Sequence, residues 1–162
     1  MEKRDIMLYL LGQLFFSFIA SAGFGVIFNA PRKALIHCGI VGMVGWMFYI
    51  ALADSGVDTV IASFVGSFVV ALVGLIFARR YRKPMIIYSV AGIIPLVPGG
   101  LAYNTMRHVA QNDYLAAIPL AAKAFMISGA IAMGLVFAEV FVQIVTKVFI
   151  HTKKNHLKQG VS

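Results

Sequence analysis

The residues best placed to do chemistry are the ones that deny the chain a regular helix. Pro95 and Pro98, followed by Gly99 and Gly100, lie inside an apolar run that begins at Met85. Two prolines three apart remove two amide donors, and each ring disfavours helical geometry at the residue before it. The glycines then permit backbone angles that other residues resist. Irregular backbone at membrane depth has no water to pair with, so it survives only against protein or a wet cavity. Discontinuous helices of this kind hold the cargo of many secondary transporters. The chemistry expected here is non-covalent: main-chain groups that hydrogen-bond a small polar solute along a path past Pro95, Pro98, Gly99 and Gly100. Tyr103 would act as a hydrogen-bonding gate, with Asn104 beside it, and Asn29 would support the break from a neighbouring helix. A proline kink that only shapes helix packing is the plainer reading of the same residues.

Charged groups supply the second set of candidates. Glu139 is the one carboxylate well within an apolar run. An ionisable group there costs at least about 2.5 kcal/mol and should face the bundle interior or a cavity. It is a candidate for proton or ion coupling; the alternative is a position near the inner leaflet, reaching headgroup water. Asp58, one turn after Asp54, is a second coupling candidate, against a solvated cap for the helix that follows. Lys123 and Arg107 are candidate contacts for an anionic cargo, although a lysine so placed also snorkels to the interface. Lys123 and Glu139 are roughly 24 Å apart along a helix and cannot pair within it.

Composition says what must position these groups. Of 162 residues, 60% are hydrophobic and 12% charged, against about 25% charged in soluble domains. The apolar residues fall in runs of the length that spans a hydrocarbon core. The expected fold is all-α, a polytopic membrane helical bundle of five crossings at about 6–30, 34–53, 59–78, 85–106 (the broken one) and 120–150. A polar loop is expected at 107–114, with Pro119 in the first turn of the last helix. Residues 1–162 read as a single transmembrane domain ending in a basic tail, 151–162. Ala20-Ser21-Ala22 resembles a small-residue cleavage site, but the run stays apolar through Phe28, so cleavage is not expected.

The net charge of +8 sits in short segments between apolar runs. That is the pattern of membrane topology, not of a nucleic-acid surface, and no nucleic-acid partner is expected. Counting charges places the N-terminus outside and the C-terminus in the cytoplasm, because Arg32, Lys33, Arg79, Arg80, Arg82 and Lys83 then lie inside. Cys38 is the single cysteine and the histidines are scattered, so no metal site or cofactor is expected. Ser63, Ser67 and Ser89 have no visible His-Asp partners, and an enzyme is not expected. Small residues form stripes at Cys38, Gly42 and Gly45, at Ser63, Ser67 and Ala71, and at Ala130, Gly134 and Ala138. Such stripes let helices approach closely. They exceed what five helices need for their own packing, which predicts association with a second membrane subunit or a second copy.

The stretches from Phe24 to Arg32 and from Ile94 to Tyr103 resemble the threonine/serine exporter family, in its short form that corresponds to the C-terminal half of full-length members. Asn29, Pro31, Pro95, Pro98, Gly99 and Tyr103 match the family's motifs, and the resemblance covers nearly the whole chain. It implies a subunit of an exporter in the bacterial inner membrane, working with a complementary membrane subunit. The cargo it implies is threonine or serine, or, in split systems, dicarboxylates such as succinate. Glu139 matches no family motif. The alternative function is a structural or assembly subunit whose partner carries the path.

Overall fold

The computed structural model describes residues 3–159, with side chains at Arg4 and from Met7 to Lys147. The side chains of the basic tail at 151–162 lie outside the described residues, as does the backbone of its last three. The elements are α1 (Lys3–Ile27), α2 (Arg32–Asp54), α3 (Thr59–Tyr81), α4 (Ile86–Gly92), a 3-10 turn (Ile94–Leu96), α5 (Gly99–Ala110) and α6 (Tyr114–Gln159). No strand occurs among the described residues. Four helices among the described residues are long and apolar enough to cross a membrane, and α4 with α5 count as a fifth if the pair, bent by 54° at its break, is taken as one span.

Four corners of this bundle close in one way. Asn29, Gly56, Arg82 and Asn112 all adopt positive φ, between 52° and 84°. In each case the next amide reaches back five residues: Ala30 to Gly25 O, Val57 to Leu52 O, Lys83 to Ala78 O and Asp113 to His108 O, at 2.9–3.1 Å. This left-handed cap satisfies carbonyls that the helix end would otherwise leave bare. Pro31 and Pro84, which cannot continue a helix, stand two residues past their caps. Asn29 and Pro31 are thus the stop signal of α1. At the next starts, Asp58 accepts the Val60 amide at 2.8 Å, and Asp113 accepts the Ala116 amide at 3.2 Å.

The small-residue stripes are used up inside the chain, which corrects the inference drawn from them above. A Cβ on Gly45 would lie 3.2 Å from Gly66 O, and one on Gly66 would lie 3.2 Å from Gly45 O, so α2 and α3 touch backbone to backbone. Gly134 seats α6 on α3, where a Cβ would meet Phe64 O at 2.5 Å. Gly42 makes room for Ser21 of α1. Ser63 and Ser67 turn their hydroxyls back to Thr59 O and Phe64 O of their own helix. The stripes on α2, α3 and α6 thus serve packing within the chain.

Boundaries also differ: α1 runs from Lys3 to Ile27 instead of 6–30, α3 runs on to Tyr81, and the largest differences lie at the α5–α6 turn. The expected polar loop 107–114 is mostly helix, since α5 runs to Ala110. The last helix starts at Tyr114, not 120, because Asp113 caps it; Pro119 lies inside the helix, past the first turn expected for it, so Leu115 O lacks its regular i+4 donor.

Candidate functional site

The break follows from its sequence residue by residue. Val97, preceding Pro98, is extended at φ −63° and ψ 130°, as a residue before proline prefers. Pro98 itself, at φ −76° and ψ 51°, centres an inverse γ-turn closed by Gly99 N–H donating to Val97 O at 2.8 Å. Before it, Leu96 and Val97 donate to Ile93 O and Ile94 O in 3-10 geometry. The first regular bond of α5 is Ala102 N–H to Pro98 O at 3.1 Å. That leaves the N–H groups of Gly100 and Leu101 without an acceptor among the described residues. No side chain caps α5. Its amino end therefore presents bare donors carrying the positive end of the helix dipole.

Gly99 and Gly100 do not use the backbone freedom expected of them. Neither has positive φ, and a Cβ at either would meet nothing within 4 Å. What glycine supplies here is the absence of a side chain over the donors. A cavity of about 330 Å³ opens between α5 and α6 at this point, walled by Val97, Pro98, Gly99, Ala102, Thr105 and Ser128 among others. Its walls are mostly apolar. Thr105 and Ser128 spend their hydroxyl protons on Leu101 O and Ala124 O of their own helices.

Depth is fixed by packing. Leu96 lies against Gly66 of α3, where a Cβ would sit 3.1 Å from its Cδ2, so the break lies about two turns inside the Asp58 end of α3. The ring pairs Phe64–Phe137 and Phe68–Phe141, at 6.0 and 6.2 Å, run α3 and α6 in parallel. They place Glu139 alongside α3, well short of the Tyr81 end that carries Arg79 and Arg80. Its side chain is exposed on the outer face of α6 instead of turned into the bundle.

Of the sequence candidates, Pro98 and Gly99 meet at the cavity. Pro95, half-buried, and Gly100, Asn104 and Tyr103, the last 69% exposed, are not among its wall residues. Arg107 and Lys123 are exposed, Asp58 is a helix cap, and Asn29 sits in the α1–α2 turn. The structure does not bring these to the break. Sequence reasoning missed the facing wall on α6, for which Ala121, Ala124 and Ser128 at spacings of three and four were a readable signal. It also missed Ser21, which is fully buried with no hydrogen-bond partner among the described residues. A Cβ at Gly42, which would collide with that hydroxyl, would lie 3.3 Å from Gly92 O at the end of α4. Nothing in the sequence marks Ser21 out.

Residues 13–141 match the family described as Threonine/Serine exporter, ThrE. An uncharacterized protein of Haemophilus influenzae (strain ATCC 51907 / DSM 11121 / KW20 / Rd) is 34% identical over 105 residues, which are 65% of this chain and 35% of the relative. The chain therefore spans about a third of the length of that relative. No solved structure matches.

Proposed function

We propose, from the premise that this chain belongs to the threonine/serine exporter family, that it is one subunit of a secondary exporter of small polar metabolites in the bacterial inner membrane. The cargo is a threonine- or serine-type amino acid or a dicarboxylate such as succinate, and a complementary membrane subunit completes the path. One observation carries this reading: the uncapped amino end of α5, with free N–H groups at Gly100 and Leu101, inside an interrupted span and beside a cavity. A carboxylate, common to every one of these cargoes, is the group such an end binds. Pro95 and Pro98 hold the end open, and Tyr103 and Asn104 line the approach from the outer side of α5. Arg107 and Lys123 draw the anion toward it, and Glu139 or Asp58 serves coupling.

The partner is inferred from what α5 leaves uncovered. No residue of α5 is buried, and its Tyr103, Asn104 and Arg107 are exposed on a hairpin with α6. A carboxylate at the depth of Glu139 should face protein or a cavity. A facing subunit would supply both. The basic turns before α2 and after α3 belong on the cytoplasmic side, giving N-out, C-in.

The apolar wall of the cavity favours a second reading, in which this chain scaffolds a path carried wholly by the partner. Efflux of threonine, serine and succinate from preloaded cells lacking related exporters separates the two. With both subunits present, Gly100→Val and Tyr103→Phe should cut efflux while the protein still inserts. Undiminished efflux from both variants would leave only the scaffold.

A further inference from the structure

At the end of the bundle opposite Asp58, six cations gather. Arg32 and Lys33 open α2, Arg79, Arg80, Arg82 and Lys83 surround the end of α3, and all are exposed. The His37 and Tyr81 rings, 4.3 Å apart, hold the start of α2 beside the end of α3. Neither connecting turn contains a carboxylate. Arg32, Lys33 and Lys83 make no ion pair among the described residues. Directly alongside runs an apolar groove of about 250 Å³, walled by Phe28, Ala30, Ile86, Ile87, Val90 and Ala91. Ala30 is two residues from Arg32, and Ile86 is three from Lys83. Phe28 and Ile86, 59% and 65% exposed, form its open lips.

We propose that this groove is a binding site for an anionic phospholipid, with an acyl chain lying between the α1–α2 turn and α4 and the phosphate held by Arg32, Lys33 and Lys83. Basic pockets between transmembrane helices select anionic headgroups. The chemistry points to a lipid rather than a free anion, because the cations stand at the mouth of an apolar slot. It points to an anionic lipid, because no carboxylate is present to receive a choline or ethanolamine ammonium.

The test titrates the full chain in detergent with phosphatidylglycerol, phosphatidylcholine of the same acyl chains, and glycerol 3-phosphate, counting bound molecules by native mass spectrometry. Phosphatidylglycerol should bind at least about tenfold more tightly than phosphatidylcholine, and glycerol 3-phosphate should not be retained. The combined Arg32→Gln, Lys33→Gln, Lys83→Gln variant should bring phosphatidylglycerol down to the phosphatidylcholine level. Val90→Trp, which fills the groove and keeps every charge, should weaken it as well. Arg107→Gln with Lys123→Gln, at the other end, should change nothing. The proposal is overturned by equal binding of the two lipids or by an unaffected triple variant. It is overturned too by glycerol 3-phosphate binding as well as the lipid, or by the same loss from the distant pair, which would mean net charge alone.

Discussion

The core built by α1 to α4 with α3's face of α6, and the hairpin of α5 with the start of α6, are made from the same residue types and behave in opposite ways. In the core, Gly39, Gly42, Gly45, Gly92 and Gly134 sit where a Cβ would collide with a neighbour, and Cys38, Val41, Val70 and Tyr88 are at most 1% exposed. In the hairpin, glycines face open space and α5 buries nothing. A small residue in a membrane helix is therefore not one signal. In the core it lets backbones touch; at the amino end of α5 it leaves donors uncovered.

The sharpest way to break this comparison is one substitution made in both regions. Gly134→Ala forces a Cβ against Phe64 O at 2.5 Å, and since backbone cannot swing aside the two helices must part. A loss of about 1–3 kcal/mol is expected, read as a lower midpoint in thermal or denaturant unfolding. Gly129→Ala, five residues earlier on the same helix, meets nothing within 4 Å and should keep that midpoint or raise it slightly. If both variants lose stability equally, the contrast between regions is wrong.

A somewhat smaller effect is expected on transport. Gly100→Val should lower efflux by about tenfold or more, as misplacement of a binding group commonly does, with membrane insertion unchanged by fractionation. Next in size, Asn29→Ala removes a side chain that tolerates the left-handed cap and should cost about 1 kcal/mol, whereas Asn29→Gly should be nearly neutral. Equal loss from both would assign Asn29 a role beyond ending α1. Smallest of all, Gly99→Ala should raise stability by about 0.4–1 kcal/mol, because its backbone is already compatible with a side chain. Any efflux it loses then reports on the donors and not on folding.

Much of the fold was legible because membrane spans and helix stops are local. The apolar runs set the crossings, and the Pro-x-x-Pro-Gly-Gly segment marked the break within a residue or two. Helix starts were less legible. The polar run after Met106 reads as a loop, yet a helix reaches Ala110, and the left-handed cap at Asn112 that turns the chain depends on geometry no residue count reveals. The position of Glu139 along α3 was open in the sequence because it depends on how α6 slides along α3, which the seat of Gly134 and the Phe64–Phe137 and Phe68–Phe141 contacts set. The direction of the polar side chains was equally hidden. Tyr103 and Asn104 face outward because α5 packs chiefly on α6, and Glu139 does because α6 turns another face to α3; both are tertiary choices.

The central claim is that the amino end of α5 stands in water at membrane depth and receives a carboxylate. Cys38 is the chain's single cysteine and is fully buried, so an introduced thiol can be read against a silent background. In membranes containing both subunits, Gly100→Cys is expected to react with a membrane-impermeant thiol reagent and to be protected by threonine or succinate. Phe16→Cys, 70% exposed in the middle of α1, should stay unlabelled because it faces lipid. A Gly100→Cys thiol as silent as that at position 16, or labelled at the same rate with and without cargo, would contradict the account.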